Sequence, residues 1–112
     1  MNLHLKRIQH IGIPVTDLAK SEKFYESLGF ENVMASSFQH NGGEGKVAMM
    51  RSGDIIVEIY QMPDNELSEI RQRKDGHIDH IAFDVADIDL AFETLKQANF
   101  NIIEEAPVFL PF

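Results

Sequence analysis

Cysteine is absent from all 112 residues, which excludes disulfides, thiolate metal sites and cysteine nucleophiles together. Also missing is any apolar run long enough to cross a bilayer. The opening stretch, Met1-Asn2-Leu3-His4-Leu5-Lys6-Arg7, has two basic residues but neither the apolar core nor the small-residue cleavage site of a secretory signal, so the expected location is cytoplasmic. Basic residues are scarce: ten Lys and Arg stand against eighteen Asp and Glu, for a formal net charge of −8 and a pI near 4.9. That balance repels phosphate backbones and anionic membranes, so neither nucleic acid nor membrane is an expected partner. Only Arg71-Gln72-Arg73-Lys74 is locally basic. An anionic small-molecule substrate stays compatible, because a metal ion or one buried arginine can dominate a pocket. Gly42-Gly43-Glu44-Gly45 lacks the lysine and hydroxyl residue of a phosphate loop, and Gly12 stands alone, so no nucleotide motif is present.

The remaining composition, 44% hydrophobic and 25% charged, is that of one globular domain. Its organising feature is a repeat. Gln9-His10-Ile11-Gly12-Ile13-Pro14-Val15-Thr16-Asp17-Leu18 is answered by Asp79-His80-Ile81-Ala82-Phe83-Asp84-Val85-Ala86-Asp87-Ile88. The histidines lie 80 − 10 = 70 residues apart, and the same offset lays Asp17 on Asp87 and Phe30 on Phe100. A tandem supersecondary unit follows, its two copies forming halves of one domain.

Alternation in residues 8–15 sets Ile11, Ile13 and Val15 on one face of a strand and His10, Gly12 and Pro14 on the other. Pro14 removes a ladder donor, which suggests an edge or bulge there. Thr16 or Asp17 caps a helix over about 18–28, and Gly29 stops it. Phe24 and Tyr25 in this helix, like Phe92 in the second, are expected in the core. A strand over 30–38 leads into residues 39–46, which read throughout as turn chemistry. Residues 46–51 and 54–61 form a hairpin around Ser52-Gly53-Asp54, with Ile55, Val57 and Ile59 on one face and Ile56, Glu58 and Tyr60 on the other. Met49 and Met50 point to opposite faces, one to the core and one to a cleft as a soft apolar wall. Residues 64–76 are a charged connection in which Leu67 and Ile70 anchor a helical turn and Gly76 closes. The second unit supplies a strand over 77–85, a helix capped by Asp87, a short strand over 100–104 and the apolar tail Pro107-Val108-Phe109-Leu110-Pro111-Phe112. The repeat is therefore incomplete, and the tail is expected to dock on something.

His10, Glu58 and His80 stand on matching, less apolar faces of their strands. If both units contribute to one curved sheet, two imidazoles and a carboxylate converge, a set suited to Zn²⁺, Ni²⁺, Co²⁺, Mn²⁺ or Fe²⁺ with open positions for water or substrate. The competing readings are that each histidine is a satisfied polar residue, and that Glu58 pairs with Arg51 across the hairpin. His40 among glycines, His77 and His4 are not preferred ligands.

The stretch from His10-Ile11-Gly12-Ile13-Pro14-Val15-Thr16-Asp17 through Phe24-Tyr25-Glu26-Ser27-Leu28-Gly29-Phe30 resembles the opening of the vicinal oxygen chelate superfamily. That superfamily includes glyoxalase I, methylmalonyl-CoA epimerase, extradiol dioxygenases and fosfomycin and bleomycin resistance proteins. Within the resemblance, Val57-Glu58-Ile59-Tyr60 matches the ligand-bearing last strand of the first βαβββ module, and Gly76-His77-Ile78-Asp79-His80-Ile81-Ala82-Phe83 the first strand of the second. It implies an α+β fold of paired βαβββ modules forming a curved mixed sheet around a cleft. Residues 1–63 would be a complete module, 64–76 a linker and 77–112 a partial second module. It also implies His10, Glu58 and His80 as metal ligands, with Glu58 a possible proton carrier. The fourth family ligand is a glutamate one repeat length after Glu58, past residue 112. Three functions fit: a metal-dependent lyase or isomerase of the glyoxalase I type, moving a proton next to a carbonyl on a small thiol adduct or thioester, a small-molecule binding or antibiotic-resistance-type protein of the same fold, or a structural remnant with an incomplete site. A homodimer is expected, because a second chain could complete the site.

Overall fold

The computed structural model describes residues 1–73 and 77–109. Gly76, read as the end of the connection, Lys74 of the basic run, and the last three residues of the tail lie outside them. The elements are β1 (Leu5–Pro14), α1 (Leu18–Ser27), β2 (Glu31–His40), β3 (Gly43–Ser52), β4 (Ile55–Gln61), a 3₁₀ turn (Asp64–Glu66), α2 (Leu67–Arg73), β5 (His80–Val85) and α3 (Ile88–Gln97). The strands form one open mixed sheet in the order β2-β3-β4-β1-β5. The first βαβββ run is thus complete, and β5 with α3 repeats its opening. The chain divides into two compact units, Gln9–Ala82 and Met1–Ile8 with Phe83–Phe112.

In the larger unit, β1 pairs with β4 in parallel, with Gly12 opposite Glu58 and Ile13 opposite Ile59. β3 pairs antiparallel with both β2 and β4. Val15, Ala48, Met50, Val57 and Ile59 make the buried core, with Ile13, Leu18, Tyr25 and Phe30 packed against it. Ile13, Val57 and Ile59 have the parity assigned to the apolar faces of their strands, as a period of two requires. The β1 strand is internal to the sheet rather than an edge. Val15 N–H donates to the Tyr60 carbonyl at 2.9 Å, so the donor missing from Pro14, one residue back, lies on the side away from β4.

Asp17 caps α1, its carboxylate accepting from the Lys20 backbone at 3.1 Å, and Asp87 caps α3 in the same way through Leu90 at 3.0 Å. Gly29 follows α1 at φ +100°, a conformation that glycine adopts without a Cβ clash. Asp17→Ala is expected to lower stability by about 0.5–2 kcal/mol, read as a lower urea midpoint at unchanged slope.

Four expectations need correction. The turn chemistry assigned to residues 39–46 shrinks to Asn41 and Gly42, because both have positive φ, +48° and +80°. Such a pair makes a two-residue hairpin whose twist matches its strands, so Gly43, Glu44 and Gly45 extend β3. The Asn-Gly doublet was the signal for it. The β5 strand begins at His80 rather than near 77. No strand covers 100–104 among the described residues; β2 is held along its length by β3, and the later stretch has no such ladder. Phe24 is exposed rather than in the core, lying edge-on to Tyr25. Leu67 and Ile70 are buried in α2 as expected.

In the smaller unit, Ala86 N–H donates to the His4 carbonyl at 3.1 Å, and Arg7 pairs with Asp84 at 2.9 Å. Ala91 is the buried residue of α3. Phe109 is 86% exposed and Val108 67%, so the described part of the tail is not sealed against the sheet.

Candidate metal centre

The three residues singled out by strand parity converge, and all three belong to the larger unit. Parallel pairing of β1 with β4 puts Gly12 opposite Glu58. The Asp79 backbone N–H donates to the Gly12 carbonyl at 2.8 Å, which pins the start of β5 beside the same point. His10 Nε2 and His80 Nε2 are 3.2 Å apart. His80 Nε2 lies 3.1 Å from Glu58 Oε1, and His10 Nε2 lies 3.9 Å from Glu58 Oε2. One ligand atom from each residue falls within 4.8 Å of the others. Register also disposes of the Arg51 alternative, since Arg51 is opposite Ile56 and Glu58 is opposite Met49.

These separations suit a cation. Ligands held about 2.0–2.1 Å from a divalent ion sit roughly 3.0–3.4 Å from one another, close to two of the three distances seen. Each ring also has an acceptor beside its far nitrogen. His10 Nδ1 contacts Gln9 Oε1, and His80 Nδ1 lies 3.4 Å from Asp79 Oδ2. With the ring proton on Nδ1, toward that acceptor, Nε2 presents a lone pair; for His80 the other tautomer would donate from Nε2 to Glu58 Oε1 at 3.1 Å. Two lone pairs and a carboxylate facing one another repel unless a cation or proton lies among them. The donor set therefore fits a metal ion of the Zn²⁺ to Fe²⁺ group.

Glycine at position 12 is a condition of this geometry. A Cβ built there would lie 1.9 Å from His80 Cε1 and 2.2 Å from Nδ1, so the imidazole occupies the space of a side chain. Tyr60 runs beside His80, ring centres 6.0 Å apart. Burial, followed by its hydrogen bond to Asp79, pushes the Tyr60 phenol above its ordinary range, so the phenol stays protonated and donates. Asp79 is held below the usual carboxylate range by that Tyr60 bond first and by His80 and Arg73 as well, against a burial contribution that acts the other way.

Strand reasoning missed Gly12, Gln9, Asp79 and Tyr60 as parts of the site. A signal existed for two of them, because Gln9 and Asp79 precede the two histidines at the same 70-residue offset. Met49 and Met50, one of them expected to wall a cleft, are both fully buried; Met49 lies opposite Glu58 in the β3–β4 register. His40 pairs with Glu66 at 3.2 Å, away from the cluster. A separate cleft of about 550 Å³ beside the β2–β3 hairpin includes Gly43, Lys46, Gln61 and Asn65 in its lining and none of the three converging residues. No helix is long and apolar enough to cross a membrane among the described residues.

Comparison with known proteins agrees with this architecture. The chain is 31% identical over 105 residues to the uncharacterized protein YwkD of Bacillus subtilis, covering 93% of this chain and 78% of that one. Methylmalonyl-CoA epimerase from Mycobacterium tuberculosis superposes with a TM-score of 0.70 at 18% identity, over 94% of this chain and 72% of that one. A variant of the Streptomyces coelicolor methylmalonyl-CoA epimerase in complex with 2-nitronate-propionyl-CoA gives 0.69 at 24% identity, over 93% and 77%. At such identities the likeness to the two epimerases is one of fold. Residues 7–108 match the model of a single family, and the chain belongs to it: the Glyoxalase/Bleomycin resistance protein/Dioxygenase superfamily.

Proposed function

We propose that this protein is a metal-dependent isomerase or lyase that moves a proton at a carbon next to a carbonyl, with His10, Glu58 and His80 as its metal ligands. The observation that carries the reading is the approach of two imidazole Nε2 atoms and one carboxylate within 4.8 Å. A bound divalent cation supplies Lewis acidity toward a carbonyl oxygen of the substrate. Glu58 brings two oxygens, one 3.1 Å from His80 Nε2 and the other 3.9 Å from His10 Nε2. With a side chain 21% exposed, it is reachable from solvent and suited to accept and return a proton. His10 and His80 orient, and Tyr60 lines the side of His80.

The substrate class we favour is a small acyl thioester. It is supported by the fold shared with methylmalonyl-CoA epimerases, one of them in complex with 2-nitronate-propionyl-CoA; a small thiol adduct of the glyoxalase I type is the second substrate class. The same reading takes the chain as a cytoplasmic homodimer, with residues 1–63 as one module and 77–112 as part of a second. Exposed Phe83, Ile88, Leu90 and Phe109 are the apolar surface that supports a partner, and the net charge of −8 supports no nucleic-acid role.

Elemental analysis of the purified protein is expected to find about one divalent ion per chain, and His80→Ala is expected to lose most of it. Incubation with an acyl-CoA carrying an acidic α-hydrogen in D₂O is expected to give metal-dependent deuterium incorporation. Undiminished metal in the His80 variant would remove the ligand assignment. A metal-loaded protein that exchanges no α-hydrogen on thioesters or thiol adducts would remove the enzymatic one.

A further inference from the structure

Each candidate ligand histidine follows a residue whose side chain meets its other ring nitrogen. Gln9 Oε1 contacts His10 Nδ1, and Asp79 Oδ2 lies 3.4 Å from His80 Nδ1. Since 79 − 9 = 70, the repeat carries over the orienting group along with the ligand. The two copies are not equivalent. Gln9 offers a neutral amide oxygen, whereas Asp79 offers a carboxylate that is itself anchored. Arg73 Nη1 donates to Asp79 Oδ1 at 3.1 Å, and Arg73 Nε donates to Glu69 Oε1 at 2.7 Å within α2. The one residue that precedes His80 is thus held from α2 through its side chain and from β1 through its backbone N–H.

We propose that Asp79 is the positioning residue of His80, fixing its imidazole with the proton on Nδ1 so that Nε2 faces His10 and Glu58, and that Gln9 does the same for His10. The inference rests on the reading of His10, Glu58 and His80 as ligands. A neutral imidazole has one ring proton, and the nitrogen lacking it is the one that binds a cation. A carboxylate on the far nitrogen favours that tautomer against Glu58 Oε1, which lies 3.1 Å from Nε2 and competes for the proton in the metal-free protein; it also makes the ring a stronger ligand, and loss of such a partner commonly costs about 10–100-fold in metal affinity. A purely structural Asp79 would do something different: it would tie α2 to the sheet through Arg73 and leave the His80 tautomer alone.

Long-range ¹H–¹⁵N correlation on the metal-free protein, above the pH range in which imidazole titrates, separates the two roles. His80 is expected to carry its proton on Nδ1 in the wild type and to shift toward Nε2–H in Asp79→Ala, with Asp79→Glu restoring the wild-type pattern. Arg73→Met, which cuts the tie to α2 and keeps the carboxylate, should retain Nδ1–H at His80 even if its melting temperature falls. In competition with a chromophoric chelator, Zn²⁺ should bind Asp79→Ala about 10–100-fold more weakly than wild type. A wild-type His80 protonated on Nε2, or an Asp79→Ala protein with unchanged tautomer and Zn²⁺ affinity, overturns the proposal. Failure of all variants and the wild type to bind any divalent ion would overturn the ligand reading, while the imidazole spectra would still decide what Asp79 does to His80.

Discussion

Gly12→Ala is expected to leave a folded sheet that has lost its metal. Position 12 lies outside the positive-φ region, so alanine suits its backbone and introduces no conformational strain. What it introduces is a methyl carbon 1.9 Å from His80 Cε1 and 2.3 Å from Nε2, well inside any real contact. The β1 backbone is held on one side by β4 and on the other by the Asp79 N–H bond to the Gly12 carbonyl, so the imidazole is the part able to yield. Moving the ring separates Nε2 from His10 and Glu58 and removes Nδ1 from Asp79. Overpacking of this kind costs about 1–3 kcal/mol, which should appear as a lower melting temperature with an unchanged far-ultraviolet circular dichroism spectrum. Metal content per chain should fall as far as in His80→Ala. A Gly12→Ala protein with wild-type metal content would show that His80 does not lie across position 12 in solution.

Ile59→Ala is expected to be the most destabilising of these substitutions. Ile59 is fully buried, sits in β4 opposite Ile13 on one side and Ala48 on the other, and belongs to the main core cluster. Truncation leaves a cavity that neither ladder can close, at a cost of about 2–5 kcal/mol against a total stability of roughly 5–15 kcal/mol for a domain. Urea denaturation should show a much lower midpoint at unchanged slope. Its neighbour supplies the contrast, because Glu58→Gln changes the opposite face of the same strand. That variant should keep most of its stability and lose metal. Equal stability losses at 58 and 59 would contradict the assignment of the two faces.

The contrast between these two positions shows how much the chain discloses on its own. Alternation along 55–60 is enough to put Ile59 inward and Glu58 outward, and the aspartates before α1 and α3 act as caps where local chemistry says they should. The matched histidines were legible for the same reason, since a repeat copies face as well as residue type. Local pattern failed where a residue's state depends on a distant one. The strand assigned to 100–104 has suitable residues, but a strand is made by its ladder. Residues 43–45 looked like loop until paired with β2, where Gly45 leaves space for the Phe38 ring.

The sequence by itself determined the core faces of Ile13, Val57 and Ile59, the caps of α1 and α3, and the matching faces of His10, Glu58 and His80, because those depend on backbone periodicity and side-chain chemistry within a few residues. Tertiary structure alone decided that Glu58 meets His10 and His80 rather than Arg51, that His80 lies over Gly12, and that Asp79 joins His80 to Tyr60 and Arg73. Periodicity states which face a side chain takes and is silent about which strand lies beside it; that choice is made by register between segments far apart in the chain, where one residue of slip exchanges every face.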